Sequence, residues 1–220
     1  MSIQKAKMDP CTSDNSSLAI SDAGLLRGAI GLAIISLIGF GLIYPLAGVG
    51  LGQALFQDTA NGSLIKQDGK VVGSSLVAQP FSDGRYFQPR PSAANYDAMS
   101  VSGSNQARTN PELRLRIAEA QAVVAQRDGV APSAIPSDLV TQSGGGIDPH
   151  ISPQAATIQV ERVARTRGIK REMIEDLIIQ HTQAKQFGLL GQSRVNVLQL
   201  NLALDALSSK PSVAHHAAIR

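Results

Sequence analysis

The sequence predicts an α+β fold, in which a single N-terminal transmembrane helix precedes a small mixed α/β domain outside the cytoplasm. The first observation is an apolar run with no charged residue between Arg27 and Asp58. The second is the later chain, where short strand patterns alternate with amphipathic helix patterns. The predicted divisions are a polar tail at 1–23, a membrane helix at 24–57, a domain at 58–209 and a flexible tail at 210–220.

The composition excludes several classes of protein. Hydrophobic residues make up 43% of the chain, which argues against a disordered protein. The 20 Lys and Arg residues against 17 Asp and Glu residues leave a net charge of +3, too small an excess to suggest a nucleic-acid partner. Cys11 is the only cysteine, so an intramolecular disulfide and a Cys-rich zinc site are excluded. Because it precedes the apolar run, a lipoprotein cleavage site is excluded as well.

The first predicted element is a transmembrane helix over about 25–46. About 20 apolar residues cross the roughly 30 Å of bilayer hydrocarbon, and a single segment satisfies its backbone there only as a helix. Pro45 is expected to kink or end this helix, with Tyr44 near one interface. Two alternatives stay open. One is a cleaved signal peptide, whose apolar region usually has about 7–15 residues, and the other is a buried core helix.

Glycines are dense in this helix, and we expect them to form a face that packs against a partner helix. The predicted contact residues are Gly39, Gly41, Tyr44 and Pro45. The alternative is that glycine is simply frequent in membrane helices.

The orientation follows from the flanking positive charges. Lys5, Lys7 and Arg27 precede the helix, whereas Lys66 and Lys70 follow it. Positive residues on a short N-terminal flank favour a cytoplasmic N-terminus. The domain would then lie outside the cytoplasm.

The domain is predicted to begin with a β-hairpin over 61–72. Asp68-Gly69 favours a type I′ turn between its two short strands, and 76–78 is a candidate third strand. Asn110 and Pro111 are typical of a helix N-terminus. That helix is expected to reach about Arg127, and a Pro/Ser/Gly-rich linker follows at 128–137. Its predicted apolar face consists of Leu113, Ile117, Ala120 and Val124.

An aromatic segment lies between the hairpin and this helix. Two prolines keep residues 81–92 extended. The favoured interpretation is that its aromatic side chains are the main core aromatics of an aromatic-poor domain. The alternative is a recognition surface with the neighbouring arginines. The residues concerned are Phe81, Tyr86 and Phe87, with Arg85 and Arg90.

The glycine-rich stretch at 139–154 is the most distinctive part of the domain. We expect a structural loop or partner contact that includes Asp148 and His150, followed by a helix capped by Ser152. The alternative is a nucleotide or anion loop at Gly144, Gly145 and Gly146, although the stretch lacks the Gly-Lys-Ser/Thr end of a P-loop. Asp148 and His150 lack a third ligand at helical spacing, so neither a metal ligand nor a catalytic residue is predicted.

The C-terminal part is predicted to be helical. One helix spans about 153–167 and ends at Gly168, and the next spans about 170–182 with Met173, Leu177 and Ile178 inward. Residues 194–207 fit a helix capped by Asn196 better than a strand. A basic cluster is expected on a solvated face, and two histidines in the tail are expected to be inert. The cluster is Arg162, Arg165, Arg167, Lys170 and Arg171, and the histidines are His215 and His216.

Several ordered motifs over about 25–207 resemble the KdpC family, the C subunit of the Kdp potassium-transporting P-type ATPase. The motifs are Leu42-Ile-Tyr-Pro, Asn61-Gly-Ser-Leu-Ile, Gly73-Ser, Gln79-Pro-Phe, Arg85-Tyr-Phe, Arg90-Pro-Ser, Ser102-Gly-Ser-Asn, Gly146-Ile-Asp-Pro-His-Ile-Ser-Pro and Arg194-Val-Asn-Val-Leu-Gln-Leu-Asn-Leu-Ala-Leu-Asp. The chain departs from the family in its longer polar N-terminal tail, and in Gln183 and Gln192, where acidic residues are often found.

The resemblance implies a single-span inner-membrane subunit of a high-affinity potassium pump. Its implied partners are a potassium-channel-like subunit, a P-type subunit that hydrolyses ATP, and a small subunit. The family's C subunit serves assembly and is described as a catalytic chaperone that raises the ATP affinity of the hydrolysing subunit. No firmly bound cofactor is implied, and ATP would act through the complex.

The residues themselves favour an accessory role. The sequence has no Asp-Lys-Thr-Gly phosphorylation motif, no P-loop and no second apolar span. A domain outside the membrane does not meet cytoplasmic ATP, so we expect it to bias the pump's conformational equilibrium without contacting the nucleotide. Two alternatives stay open: a membrane-anchored hydrolase or metal enzyme using Asp148, His150 and His181, and a secreted binding protein with a cleaved signal.

Overall fold

The protein is seen in a computed structural model, which describes residues 22–209. These residues fall into two compact units that divide between Gln57 and Asp58. The first is an apolar helix and the second mixes helices with short strands, so the predicted α+β class is confirmed. The predicted polar tail up to residue 21, including Cys11, and the C-terminal tail with His215 and His216 lie outside the described residues.

The apolar unit is one long helix with a π-helical turn in its middle. It consists of α1 (Asp22–Ile38), the π-helical turn (Gly39–Ile43) and α2 (Tyr44–Leu55). Among residues 22–209, Gly24–Leu55 is the one helical stretch long and apolar enough to cross a membrane. None of its most apolar window is buried, unlike the residues of a soluble core helix.

The helix extends past the span estimated at 25–46 and fills most of the predicted range 24–57. Proline has no N–H, and its ring crowds the carbonyl four residues earlier. The helix does not end before Pro45 but widens there into a π-helical turn. In this turn the Tyr44 N–H donates to the Gly39 carbonyl, five residues earlier. The helix therefore continues to Leu55.

The second unit contains two small antiparallel sheets and a group of helices. Strands β1 and β2 form one sheet, and the other has the order β3-β5-β4. The elements are α3 (Gln57–Ala60), β1 (Leu64–Gln67), β2 (Lys70–Ser74), α4 (Pro111–Asp128), β3 (His150–Ile151), α5 (Pro153–Thr157), α6 (Val160–Arg167), α7 (Arg171–His181), β4 (Thr182–Gln183), β5 (Arg194–Asn196) and α8 (Val197–Ser209), with short 3₁₀ turns at Pro132–Ala134 and Ser137–Leu139.

The predicted hairpin is confirmed as β1 and β2. Asp68 (φ 50°) and Gly69 (φ 76°) both have the positive φ that a type I′ turn requires. The third strand predicted at 76–78 is wrong, because this segment follows a turn and is held by the loop beside it. The Ala78 N–H donates to the Ile147 carbonyl at 2.8 Å.

Local capping signals correctly predict where several helices begin and end. Asn110 accepts a hydrogen bond from the Glu112 N–H, and Ser152 accepts one from the Ala155 N–H. Gly168 ends α6 with φ 66°. Asn196 accepts from the Gln199 N–H at the start of α8, and residues 194–196 form β5 before it.

The helix predicted over 153–167 is divided into α5 and α6. The break lies at Gln159, whose N–H reaches the Ala156 carbonyl three residues back. The Gln159 side chain donates to the Ala155 carbonyl instead, at 3.1 Å. A side-chain hydrogen bond thus replaces one of the regular backbone bonds.

The core lies among α4, α6, α7 and α8. The predicted face of α4 is its more buried face, with Val124 buried. Phe87 is fully buried, which supports the interpretation of the aromatic segment as part of the core. Met173, predicted to point inward, is 47% exposed, and Ile174 is buried in its place. Ile174, Leu177 and Ile178 follow helical spacing, and Met173 lies off that face.

The linker prediction is wrong at Asp128, and the prediction of a solvated basic cluster is wrong at Arg162 and Arg167. Asp128 is the last residue of α4 and is buried, so the linker does not begin there. Arg162 is only 5% exposed, and its Nε donates to Asp128 Oδ1 at 2.7 Å. A buried carboxylate requires a compensating charge. Arg167 is also largely covered and pairs with Asp205 at 2.7 Å. Arg165, Lys170 and Arg171 are exposed as predicted.

Candidate functional site

Two buried amide side chains hold the extended segment that leads to the candidate site. Asn201 on α8 accepts from the Phe87 N–H at 2.8 Å and donates to the Phe87 carbonyl at 3.0 Å. Gln159 does the same for Gln88, at 2.8 and 3.2 Å. Each amide pairs with both the N–H and the carbonyl of one residue, as a neighbouring β-strand would. The position of Arg90, two residues further on, follows from these contacts.

Arg90, Asp148 and His150 form one cluster beside this segment. Arg90 Nη1 lies 3.0 Å from Asp148 Oδ2, and His150 Nδ1 lies 3.2 Å from Asp148 Oδ1. The His150 backbone N–H donates to the same carboxylate at 3.0 Å. The structure therefore brings together the sequence-predicted Asp148 and His150 and adds Arg90 to them.

The ionisation of Asp148 follows from these contacts. Burial by itself raises the pKa of this carboxyl group. The hydrogen bonds from the His150 ring and backbone, together with the charge of Arg90, outweigh burial, so the pKa of Asp148 lies below its usual value. Asp148 is accordingly a carboxylate at neutral pH.

The backbone around the cluster is held on both sides. The Val197 N–H donates to the Pro149 carbonyl at 2.9 Å, which joins the loop to the start of α8. His150 then pairs with Asn196 in the antiparallel ladder of β3 and β5. On the other side, the Tyr96 hydroxyl donates to the Arg90 carbonyl at 2.8 Å.

The cluster lines an open cleft of about 480 Å³. Arg194, on β5, contributes a second guanidinium to its wall. Asp138 contributes a second carboxylate, which already accepts from the Ser152 N–H at 2.7 Å and from its hydroxyl at 3.2 Å. The cleft thus presents positive groups and a histidine, while hydrogen bonds within the chain engage its carboxylates.

One hydroxyl of the cleft is already engaged by hydrogen bonds within the chain. Ser152 Oγ donates to Asp138 and accepts from the Ala155 N–H, so it is engaged as a helix cap. His181 ends α7 and is not part of the cleft wall. Within residues 22–209, no group of three or more His, Cys, Asp or Glu side chains could hold a metal ion. The arrangement is suited to binding a partner's polar groups.

The glycine loop packs closely against the segment around residue 100. Gly146 has φ 74°, and a Cβ there would lie 2.7 Å from the Ser102 carbonyl oxygen. A Cβ on Gly103 would lie 2.5 Å from the Gly144 carbonyl oxygen. The Gly146 N–H donates to the Ser143 carbonyl. Close packing explains glycine at 103 and 146, and anion binding at Gly144, Gly145 and Gly146 stays a prediction.

The predicted contact residues of the apolar helix occur together at its middle. Gly39 and Gly41 lie in the π-helical turn, and Tyr44 and Pro45 begin α2. The Tyr44 side chain is 73% exposed. A Cβ on Gly39 would meet no atom within 4 Å. Partner packing at these residues stays a prediction.

Sequence reasoning missed Gln159, Asn201 and the buried role of Arg162. Asn201 interrupts the run Leu198-Gln-Leu-Asn-Leu, where a polar residue on an apolar helix face was the available signal. The partner of that amide was not apparent, because Phe87 lies 114 positions earlier in the chain.

Comparison with known proteins shows the family. A family model described as the K+-transporting ATPase, c chain (KdpC), matches residues 26–206. A protein named potassium-transporting ATPase KdpC subunit from Xanthomonas oryzae pv. oryzae (strain MAFF 311018) is 58% identical over 191 residues, covering 87% of this chain and 91% of that protein. A protein of the same name from Methylococcus capsulatus (strain ATCC 33009 / NCIMB 11132 / Bath) is 52% identical over 170 residues, covering 76% of this chain and 90% of that protein. Because the match spans both the apolar helix and the domain, the chain belongs to the KdpC family, the c chain of the K+-transporting ATPase.

Proposed function

We propose that this subunit is a non-catalytic, single-span member of the Kdp pump that holds the complex together and biases its conformational equilibrium. The observation that carries the proposal is the apolar stretch Gly24–Leu55, whose most apolar window has no buried residue. A helix of this kind is suited to lipid and to the helices of other membrane subunits. Its N-terminus lies in the cytoplasm and its domain outside, by the positive charges before the span.

The glycine-containing middle of the helix contacts the membrane subunits in this proposal. Gly39 and Gly41 let a neighbouring helix approach closely, and the exposed ring of Tyr44 packs beside them. The partners are the potassium-channel-like subunit, the P-type subunit that hydrolyses ATP, and the small subunit of the complex.

The cleft around Arg90, Asp148 and His150 is the docking site of the domain. The Tyr96 hydroxyl holds the Arg90 backbone and the His150 N–H holds the Asp148 carboxylate, so little conformational freedom is lost when a partner binds. Arg194 offers donors to carbonyl or carboxylate groups of a subunit loop, and His150 offers its second ring nitrogen. Specificity would come from these few groups, because the cleft is open and polar.

The effect on ATP follows from differential binding of the pump's states. A domain outside the membrane changes the apparent ATP affinity when it binds one conformation of the pump more tightly than another. No contact with the nucleotide is needed, and the chain holds no cofactor firmly. This is how we interpret the role of a catalytic chaperone.

The test is affinity purification of the tagged full chain from membranes. We expect a P-type ATPase and a channel-like protein to co-elute, and Gly39→Leu to reduce their yield. Gly28→Leu is the matched control, since a Cβ at either glycine meets no atom of this chain within 4 Å. Equal yields for the two variants would contradict the packing face, and the absence of both partners would contradict the proposed function.

A second measurement separates scaffold from enzyme. We expect the complex purified with His150→Ala to retain potassium-coupled ATP hydrolysis once it assembles, because His150 binds rather than reacts. Complete loss of turnover in a fully assembled complex would instead favour a catalytic role for the pair of Asp148 and His150.

A further inference from the structure

The segment 184–193, which links β4 to β5, is here called the tip hairpin. Its turn is closed by two backbone hydrogen bonds between Gln186 and Leu190, both 2.9 Å long. Three large apolar side chains project from it: Phe187 is 84% exposed, Leu189 83% and Leu190 62%. They lie on a five-residue turn and take no part in the core of the domain.

The backbone of the tip hairpin is built to hold these side chains outward. Phe187 has φ 54°, which is unfavourable for a bulky residue. Gly188 and Gly191 follow at φ 74° and 76°, and the Gly188 N–H donates to the Lys185 carbonyl at 3.1 Å. A strained backbone that leaves an aromatic ring in water is a reason to look for a function of that ring.

Along the sequence, the charged residues nearest the tip hairpin are basic, whereas its end at Gln192 and Ser193 lines the cleft that contains Asp138 and Asp148. The sequence contains no acidic residue between Asp176 and Asp205. Lys185 lies within the tip hairpin and Arg194 directly after it, and both side chains are exposed. Apolar side chains at a tip with basic residues beside them are typical of a segment that enters the interface of a membrane containing anionic lipid.

We propose that the tip hairpin is a second membrane contact of this subunit, at which Phe187, Leu189 and Leu190 enter the headgroup region of a bilayer with anionic lipid. The inference rests on the proposed anchoring by the apolar helix. Only the segment 56–63 lies between the end of α2 and the start of β1. So short a tether keeps the domain at the membrane surface, where a weak interfacial contact acts at a high effective concentration.

The membrane anchor favours lipid over a protein as the occupant. Large aromatic and aliphatic side chains bury on the order of 150–250 Å² each, so three of them offer no more than about what one partner contributes to the smallest stable protein interfaces, roughly 600 Å². A bilayer sets no such minimum when the chain is already anchored in it. Lys185 then meets lipid phosphates instead of acidic residues on a protein.

The test uses the full chain in vesicles of phosphatidylethanolamine and phosphatidylglycerol, without the other subunits. In a Cys11→Ser background, Leu189→Cys carries an environment-sensitive dye, and Met99→Cys, whose native side chain is 92% exposed, is the control. We expect nitroxide groups on the lipid to quench the dye strongly at 189 but not at 99. Equal quenching at the two sites, or none at 189, would overturn the inference.

Two further arms separate lipid from protein occupants and from failure of the anchor. Quenching at 189 must persist as the protein-to-lipid ratio falls, since dependence on protein density would assign the tip hairpin to a second copy. Lys185→Gln should weaken quenching only in vesicles with phosphatidylglycerol. Flotation of the chain with vesicles reports the apolar helix separately, so a chain that floats with an unquenched tip contradicts this inference alone.

Discussion

Arg162 and Asp128 meet in the core although 34 positions separate them in the chain. The Asp128 side chain is fully covered, and Arg127 and Arg162 both donate to it. Arg162 also donates to the backbone carbonyls of Gly84 and Tyr86. One buried guanidinium therefore joins the end of α4, helix α6 and the aromatic segment that precedes the cleft.

Replacing Arg162 tests the weight of this contact. We expect Arg162→Met to lower the free energy of unfolding of the domain by about 3–5 kcal/mol, because it removes the buried one of the two arginines that pair with a buried carboxylate. The measurement is urea unfolding of the full chain in detergent, followed by circular dichroism. Arg165→Met, on the exposed side of the same helix, is the control. Equal losses for the two variants would contradict the buried role of Arg162.

Asp148 makes stability depend on pH in a defined direction. Its pKa is lower in the folded protein than the ordinary value of 3.8. The carboxylate therefore stabilises the fold above that pH, and its contribution is lost as the pH falls through the lowered pKa. We expect Asp148→Asn to reduce the free energy of unfolding at neutral pH. On acidification, the variant should lose less of this free energy than the parent protein, because it has no carboxylate at 148 to protonate. Urea midpoints from neutral pH down to about pH 3 measure this, with Glu119→Gln as control.

Elements whose signals are local could be predicted from the sequence. Asn110 and Ser152 cap the helices that follow them, and Asp68-Gly69 turns its hairpin, because each signal acts within four residues. Asp148 and His150 were found in the same way. Arg90 was found to belong with them only in the structure, since it lies 58 positions from Asp148 in the chain. The amides of Gln159 and Asn201 bring the two residues together by holding the backbone just before Arg90.

The glycine loop keeps its shape because Gly103 and Gly146 have no Cβ. We expect Gly146→Ala to lower the free energy of unfolding by about 1–3 kcal/mol, because the new Cβ would lie 2.7 Å from the Ser102 carbonyl oxygen and Gly146 has a positive φ. Gly144→Ala is the matched control, since its Cβ would meet no atom within 4 Å. Thermal unfolding of both variants measures the difference, and similar melting temperatures would contradict the packing described for Gly146.

At the scale of the whole molecule, the N-terminus and the domain are expected on opposite sides of the membrane. We expect a membrane-impermeant thiol reagent to label Met99→Cys in spheroplasts without permeabilisation, because the charges before the span favour a cytoplasmic N-terminus. Cys11, the only native cysteine, should react only after permeabilisation. The Met99→Cys variant carries Cys11→Ser so that each signal has one source. The opposite labelling pattern would reverse the proposed orientation.

The π-helical turn at Gly39–Ile43 affects how neighbouring helices can pack against the apolar helix. One additional residue in a turn rotates everything beyond it by about 100° relative to an unbroken α-helix. Side chains that heptad counting would align along one stripe consequently point in different directions before and after Pro45. Two partner subunits on different sides of the helix can therefore pack separately, one against α1 and the other against α2.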